Sequence, residues 1–359
     1  MMPFLRDCAK NFGATAVASG CAILLVLSAS PVNSQTMEQI VEGAKKEGEV
    51  RITITVRTKE GNIVAAPRLI EAFQKRYPFV KVHHTRVGGS REREKIFTEL
   101  VSGMVSYDVA TLGLTSVPDG IRADIFHKVD WKGFGVDPNR FHPASVGVKY
   151  RLQLYGLSYN MDKMSKAEAE KLTWESCADP RYRGKVAYNV RPRHLEILYQ
   201  DDGWGEKATL EHARRVKANK PIFEKDRTGM QSRLSDGAYV FICGQYWSTF
   251  QRARLGEGVK NVGFVVPEPA LISGGDLVFV PKGAKNPNAA ILWILWSTSD
   301  EGMNLLDEVQ FSGDPAVPGA SAHHLVKNKK VIRGSWEYQA RASKILRAIL
   351  SEMGVPVAR

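Results

Sequence analysis

Runs of β-branched residues alternate with segments of helical periodicity early in the chain, and this alternation limits the fold more than any other feature. The predicted order is strand, helix, strand, Gly-rich loop with helix, and strand, at 50–56, 67–77, 80–87, 88–104 and 107–114. Such an order is typical of a doubly wound α/β unit with a parallel sheet. Ligands bind such sheets at the carboxyl ends of the strands, so we expect the loops at 57–61, 88–91 and 111–116 to lie together.

A second unit with the same alternation begins after residue 150. Its strands are predicted at 152–160, 184–190 and 237–243, with a helix at 209–219 before the last of them. Two more strands, a long apolar helix and a closing amphipathic helix at 335–354 complete the chain. We therefore predict two doubly wound α/β lobes joined by crossover strands near 150 and 270. Lobe 1 comprises 35–150 and 269–359, and lobe 2 comprises 151–268.

The first 34 residues have the order of charge, apolar core and small residues that is typical of a secretory signal peptide. Arg6 and Lys10 precede the apolar block at 13–29, and the polar stretch "SPVNSQT" follows it. We predict cleavage between Ser34 and Gln35, and export to the periplasm. A lipoprotein signal ending at Cys21 is the alternative. No later stretch reaches the roughly 18 to 20 apolar residues needed to span a bilayer.

The chain is basic, with a formal net charge of +12, and removal of Arg6, Asp7 and Lys10 with the signal leaves +11. Such a surplus raises the local concentration of anions. The basic residues are dispersed, and neither a long basic run nor an aromatic-basic RNA motif occurs. We therefore do not expect a nucleic-acid partner, and we expect most of this charge to lie on the solvated surface rather than at a site.

Two cysteines, Cys177 and Cys243, remain beyond the predicted signal. In an oxidising compartment they could pair. However, Cys243 ends an apolar predicted strand, where a buried free thiol is common. We expect the free thiol, with the disulfide as the alternative. Their spacing fits neither a CxxC redox centre nor a zinc site.

Several short segments occur in the order found in one known protein family. They are "AKKEGEV", "LIEAFQKRYPFVKV", "SYDVATLG", "YGLSYNMDK", "TWESCADPRYRGKV", "GGDLVFVPKGAKNPNAAILWILWSTSDEG" and "GDPAVPG". With them, the chain from about 37 to 320 resembles a periplasmic solute-binding protein of an ABC importer. The resemblance is to the cluster that includes ferric-iron, polyamine and thiamine binders, which have the type II periplasmic-binding-protein fold.

The resemblance implies a monomer without a cofactor that captures a small-molecule or ferric ligand between two lobes and delivers it to a membrane permease. The lobes would close on the ligand by a hinge motion. A sensor that signals to a membrane receptor would share these features and stays an alternative. We do not expect an enzyme, because the chain lacks a GxSxG elbow, a phosphate loop and an HExxH motif.

The sequence indicates the protein family more clearly than it indicates the ligand. Ferric binders of this cluster hold iron with a tyrosine pair after the strand that matches 237–243, whereas this chain has Gln245 and Tyr246 there. Ferric iron favours several anionic oxygens, so Tyr246 would be a metal ligand only if the solute is ferric iron. Adjacent strand residues face opposite sides, so we do not expect His83 and His84 to bind one ion.

Arginines stand where the ligand loops are expected. Guanidinium groups bind carboxylate and phosphate bidentately, and a helix start at Ser90 would add amide donors. This pattern favours an anionic ligand, or ferric iron with a synergistic anion. The residues that we expect to line the ligand site are Arg57, Thr58, Gly89, Ser90, Arg91, Gly113, Tyr159, Arg191, Arg193, Gln245 and Tyr246. We expect Arg93 to be solvated, Tyr239 to lie in the core and Trp247 to pack beneath Tyr246.

Overall fold

A computed structural model describes residues 35–54, 65–87, 90–256 and 258–355, without the side chains of 65, 90 and 91. The helices are α1 Met37–Glu47, α2 Ala65–Arg76, α3 Ser90–Val101, α4 Val117–Arg122, α5 Lys166–Ala169, α6 Arg193–Leu198, α7 Gly205–Ala218, α8 Gly229–Ser235, α9 Trp247–Gly256, α10 Pro287–Ser297, α11 Asp300–Gln310, α12 His323–Val326 and α13 Trp336–Met353. The strands are β1 Glu49–Ile52, β2 Lys81–His84, β3 Ala110–Gly113, β4 Val148–Tyr150, β5 Gln153–Asn160, β6 Val186–Asn189, β7 Ile222–Glu224, β8 Phe241–Tyr246, β9 Val262–Val265, β10 Ala270–Ser273, β11 Asp276–Phe279 and β12 Val331–Arg333. The predicted signal peptide lies outside the described residues.

The strands of the first lobe form a parallel pair and an antiparallel group of three. β1 pairs in parallel with β2, and β11 lies between β3 and β4. A parallel bridge from Ile52 to Val109 connects the two groups. Val50 and Ile52 alternate with less buried residues along β1, because successive side chains of a strand face opposite sides. The three strands predicted for this part of the chain are therefore confirmed.

The second lobe is built on a larger mixed sheet. Its order is β12-β10-β5-β8-β6-β7, and β9 pairs with the far half of β5. β5 is buried along nearly its whole length, because it has neighbours on both edges and helices on its faces. β8 extends to Tyr246 rather than ending at Cys243 as predicted, since Tyr155 of β5 pairs with Tyr246 in the antiparallel ladder.

Two of the passages of the chain between the lobes lie side by side. Arg151 and Leu152 connect β4 to β5, and Gly274 and Gly275 connect β10 to β11. Arg151 has a positive φ of 55°, and a Cβ atom on Gly275 would lie 2.5 Å from the Arg151 carbonyl oxygen. Glycine is therefore required where the two crossings approach each other. The α/β class with two lobes and crossovers near 150 and 270 is confirmed.

The segment after residue 269 divides between the lobes, unlike the predicted assignment to lobe 1. α10 packs on α1 and β1 of the first lobe. β10 and β12 belong to the second sheet, and α13 packs on α7. The cause is the apolar face of α13, whose Ile345, Ile349 and Met353 belong to the same buried cluster as Phe241.

Cys177 and Cys243 form a disulfide, with 6.1 Å between their Cα atoms. The expectation of a free thiol at Cys243 is thus wrong. The 3₁₀ turn at Glu175–Ala178 buries Cys177 against β8. Across the part of the chain that the structure describes, no helix combines the length and apolarity needed to cross a bilayer.

Candidate functional site

A cavity of about 650 Å³ opens between the lobes, beside the two crossovers. Lobe 1 contributes α3 and the end of β3, and lobe 2 contributes the ends of β6 and β8 and the start of α9. Its size is within the roughly 300–1,000 Å³ of pockets that hold small organic ligands. Its position at strand ends is the one expected for doubly wound sheets.

Arginines dominate the part of the cavity that belongs to lobe 2. We call Arg191, Arg193, Arg227 and Tyr246 the second-lobe wall. The Arg227 guanidinium donates to the carbonyl oxygens of Gly244 at 2.8 Å and Arg191 at 3.0 Å, and lies 4.3 Å over the Tyr246 ring. These contacts hold the charge of Arg227 in one place, and the cation–π contact adds to them.

Arg193 is partly buried at the start of α6. Burial by itself lowers the pKa of the Arg193 guanidinium, but nearby Tyr246 and Glu196 raise it by more, so its pKa lies above the ordinary value. Behind it, Glu196 accepts a hydrogen bond of 2.6 Å from the hydroxyl of Tyr338 on α13. Burial also raises the pKa of Glu196, against the opposing effect of Arg193. Arg193 is therefore a fixed positive charge at the cavity.

Tyr246 is the only phenol among the described residues that line the cavity. Its ring packs edge-on against Tyr155, with 5.0 Å between the ring centroids. Burial raises the pKa of Tyr155 well above its ordinary value, and its hydroxyl lies 3.2 Å from Ser273 Oγ. Tyr155 is thus a neutral phenol behind the wall.

The opposite side of the cavity contains a buried carboxylate between two arginines. We call Arg93, Arg151 and Asp276 the first-lobe wall. Asp276 accepts hydrogen bonds of 2.9 Å from Arg93 Nη1 and of 2.9 Å from Arg151 Nε, and a further one from Arg151 Nη2. Its side chain is 1% exposed. The prediction that Arg93 is solvated is therefore wrong, because α3 turns it toward Asp276.

Hydroxyl and amide groups between the walls bond to one another. Ser248 Oγ donates to Gln153 Oε1 at 2.7 Å, and Gln153 Nε2 donates to Ser312 Oγ at 3.2 Å. Thr249 also lines the cavity in the first turn of α9, where backbone N–H groups have no partner within the helix. On the same helix, Arg252 Nη2 donates to Thr249 Oγ1 at 3.3 Å, so this region offers fixed polar contacts and one further guanidinium group.

The structure brings four of the predicted site residues to the cavity, namely Gly113, Arg191, Arg193 and Tyr246. It does not bring Gln245 or Tyr159 there. Gln245 is fully buried and bonds to the Arg227 carbonyl oxygen and the Tyr246 amide. The Tyr159 ring lies in the lobe 2 core, where a Cβ on Gly263 would lie 2.2 Å from it.

The remaining predicted site residues lie in two segments, one after β1 and one at the start of α3. Arg57, Thr58 and Gly89 lie outside the described residues, as do the side chains of Ser90 and Arg91. Tyr239 lies in the core, as expected. Trp247 is buried, but its ring packs against Phe250 and Phe264 rather than in the cluster that contains Tyr246, and its Nε1 donates to Ser321 Oγ at 2.9 Å. His83 lies near Glu49 and His84 near the Ile54 carbonyl, so the two rings face different neighbours.

Sequence reasoning missed Arg227, Arg151 and Asp276. Arg227 follows β7, a short strand of half-buried residues that the alternation pattern did not reveal. Arg151 and Asp276 stand next to the predicted crossovers, and that position is a signal that could have identified them. Opposite charges beside two chain crossings would be expected to meet.

The cavity as a whole is electropositive. Its described lining residues include six arginines and two carboxylates, which gives a formal charge of +4. The described residues contain no group of three or more His, Cys, Asp or Glu side chains that could hold a metal ion. Guanidinium forks beside neutral hydroxyls are suited to a small anion.

A family model and a curated protein both match this chain over most of its length. The family model described as "Bacterial extracellular solute-binding protein" matches residues 68–333. The putrescine-binding periplasmic protein SpuD of Pseudomonas aeruginosa is 23% identical over 282 residues, which cover 68% of this chain and 75% of SpuD.

Solved structures share the fold at low sequence identity. FutA (IdiA) of Trichodesmium, in complex with iron and citrate, is 16% identical with a TM-score of 0.69, covering 86% of this chain and all of that one. Iron-bound HitA of Pseudomonas aeruginosa is 13% identical with a TM-score of 0.62, covering 85% of this chain and 99% of HitA. At these identities the likeness concerns the fold.

Proposed function

Because the chain belongs to the bacterial extracellular solute-binding protein family, we propose that it captures a small anionic solute in the periplasm and delivers it to an ABC permease. Its fold is that of the type II periplasmic binding proteins, as the sequence resemblance implied. Proteins of this family bind and release solutes for transport. Hinge closure at Arg151–Leu152 and Gly274–Gly275 would bring the two walls onto the ligand.

One observation carries the choice of an anion. Arg191, Arg193 and Arg227 lie together at the cavity, and none of them forms an ion pair with a carboxylate of the described residues. SpuD is a putrescine-binding protein by name, but a diamine would be repelled by a site of this charge. A carboxylate or phosphate would instead supply the missing partner.

Ferric iron with a synergistic anion is the second candidate. Tyr246 supports it, because a phenol lies beside the arginines that would hold the anion. Bare ferric iron is less favoured, because Tyr155 is held as a neutral phenol and Asp276 is occupied by two arginines. A hard trivalent cation requires several anionic oxygens.

A thermal-shift screen of residues 35–359 tests the proposal. The solutes are glycerate, succinate, inorganic phosphate, ferric citrate and putrescine, each at a range of concentrations. We expect an anion to raise Tm most, since a ligand at 100 times its Kd adds about 2.7 kcal/mol to the free energy of unfolding. A larger shift with putrescine would refute the anion proposal.

Iron is distinguished from a plain anion by colour. Ferric binding through Tyr246 would give a phenolate-to-iron absorption band, which Tyr246→Phe would abolish. Tyr182→Phe, on the same lobe outside the cavity, is the matched control and should retain the absorption band.

The neighbouring genes distinguish a transporter from a sensor. A permease and an ATPase encoded alongside support transport, and a membrane histidine kinase supports sensing.

A further inference from the structure

Positive charge is distributed unevenly between the two sides of the cavity. On the first-lobe wall, Asp276 lies between Arg93 and Arg151 and accepts from both. One of those two arginine charges is therefore already neutralised by the protein. On the second-lobe wall, none of the three arginines forms an ion pair with a carboxylate of the described residues. Most of the charge that is available to a ligand is thus concentrated at one end.

We propose that the second-lobe wall binds a dianionic phosphoryl head group, and that the solute is a small organic phosphate or phosphonate. This inference rests on the proposed function as an anion-binding protein and makes its ligand more specific. A phosphoryl group carries a charge of about −1.5 to −2 at neutral pH and three strong acceptor oxygens on one atom. The concentration of three guanidinium groups at one end matches that charge density.

The three arginines have different parts in this site. Arg227 donates to Gly244, Arg191 and Asn189, so it contributes mainly a fixed charge. Arg191 and Arg193 line the cavity from the turn that precedes α6 and from its first residue. Guanidinium forks can bind two phosphoryl oxygens at once. The Tyr246 hydroxyl offers one more donor at the same end.

A dicarboxylate fits this distribution less well. Its two charges stand at opposite ends of the molecule, so it would require available positive charge on both walls. At the first-lobe wall, Asp276 already offsets one of the two arginine charges, so this wall would attract the second carboxylate less strongly than the second-lobe wall would. A phosphoryl compound would direct its uncharged part toward that wall instead.

The rest of the cavity indicates an organic body. At about 650 Å³ it is much larger than an inorganic phosphate ion requires. Thr115, Ser116 and Thr249 line it with hydroxyl groups. These groups suit a short polar body such as that of a polyol.

Isothermal titration calorimetry of residues 35–359 tests the head group with four matched probes. These are glycerol 3-phosphate, glycerate, succinate and inorganic phosphate. We expect glycerol 3-phosphate to bind at least about 10-fold more tightly than glycerate or succinate, because it places two charges at one end. We expect inorganic phosphate to compete with it.

Two variants test the wall. Arg193→Gln and Arg191→Gln should each weaken glycerol 3-phosphate binding by about 10- to 100-fold, the range for a charged hydrogen-bond pair. They should weaken glycerate binding by less. Arg347→Gln, an exposed position on α13 outside the cavity, changes the net charge equally and should have almost no effect. Circular dichroism melting curves would establish that each variant is folded, and Arg191→Lys provides a second variant that retains the charge.

The outcomes separate this inference from the proposed function. If succinate or glycerate binds as tightly as glycerol 3-phosphate, the head-group inference fails while the anion proposal stands. If putrescine binds and no anion does, both fail. The inference also fails if none of the four probes binds, or if Arg347→Gln weakens binding as much as Arg193→Gln.

Discussion

The two walls of the cleft both carry arginines but stabilise them in different ways. In the first-lobe wall, Arg93 and Arg151 share the buried carboxylate of Asp276. In the second-lobe wall, Arg227 is held by carbonyl oxygens and the face of Tyr246 rather than by a carboxylate. Charge that is paired within the protein fixes the geometry of the crossovers. Charge that is not held in a direct ion pair is available to a ligand.

The layers behind the walls differ as well. Behind the second-lobe wall, the His194 ring stacks between Trp174 and Tyr188, with centroid distances of 5.3 Å and 5.9 Å. Burial lowers the pKa of His194 well below its ordinary value, so this layer is neutral. The Cys177–Cys243 disulfide joins the same layer to β8, which ends at Tyr246. The second-lobe wall therefore rests on aromatic packing and a covalent link, and the first on ion pairs.

Removal of the disulfide should have the largest effect. Cys177 and Cys243 are separated by 66 residues, and closure of a loop of that length stabilises a protein by about 4 kcal/mol in the chain-entropy model. We expect the double variant Cys177→Ala/Cys243→Ala to lose about that amount in guanidinium unfolding at neutral pH. The wild-type protein unfolded with a reductant should lose a similar amount. A loss below about 1 kcal/mol would show that β8 is held by packing alone.

Removal of the Asp276 carboxylate from the first-lobe wall should have the next largest effect on stability. Asp276→Asn leaves Arg93 and Arg151 without their anionic partner in a site where Asp276 is 1% exposed. Breaking a buried ion pair from one side costs about 3 kcal/mol or more. We expect a loss near that value in the free energy of unfolding measured with denaturant. The variant should also bind succinate more tightly, because both walls would then offer available positive charge.

Glu94→Gln is the matched control for that change. Glu94 lines the same cavity and belongs to the same lobe, but it is exposed. Exposed substitutions of this kind usually change stability by less than about 0.5 kcal/mol. Equal losses in the two variants would contradict the distinction between paired and available charge.

The fold was predictable because its signals are local. The strand and helix periods before residue 114, and the apolar helix that became α10, depend on neighbouring residues along the chain. The division of the segment after 269 between the two lobes could not be predicted, because β12 and α13 are placed by contacts with β10 and α7. Those contacts join residues far apart in sequence and leave no periodic signal.

The site was predictable only in part, because some of its residues are placed by contacts with distant segments of the chain. Arg191, Arg193 and Tyr246 follow predicted strands, so topology alone brought them to the strand ends. Arg227 and Asp276 act through partners in distant segments, and their roles depend on which oxygen or guanidinium each one meets. Tyr159 has the right residue type, but its strand position directs it into the core.

Acid should destabilise the layer behind the second-lobe wall, by less than the loss of the disulfide or of Asp276 does. His212 of α7 is fully buried, neither ring nitrogen has a partner among the described residues, and it lies near His194. Burial and then Arg215 lower the pKa of His212 to about 3. Below about pH 6.5 the unfolded chain binds a proton at this position and the folded chain does not. The stability is therefore complete above that pH and is lost as the pH falls toward 3.

Guanidinium unfolding at about pH 7.5 and pH 5 would measure this loss. A span of 1.5 pH units below the unfolded pKa corresponds to about 2 kcal/mol for one such histidine. In His212→Phe, the difference in unfolding free energy between the two pH values should be smaller by about that amount. Thr209→Val is the matched control: Thr209 is buried on the same helix, and its hydroxyl also has no partner among the described residues, but it does not titrate. An equal change in the pH dependence of both variants would mean that packing, rather than a neutral histidine, sets the acid sensitivity of this layer.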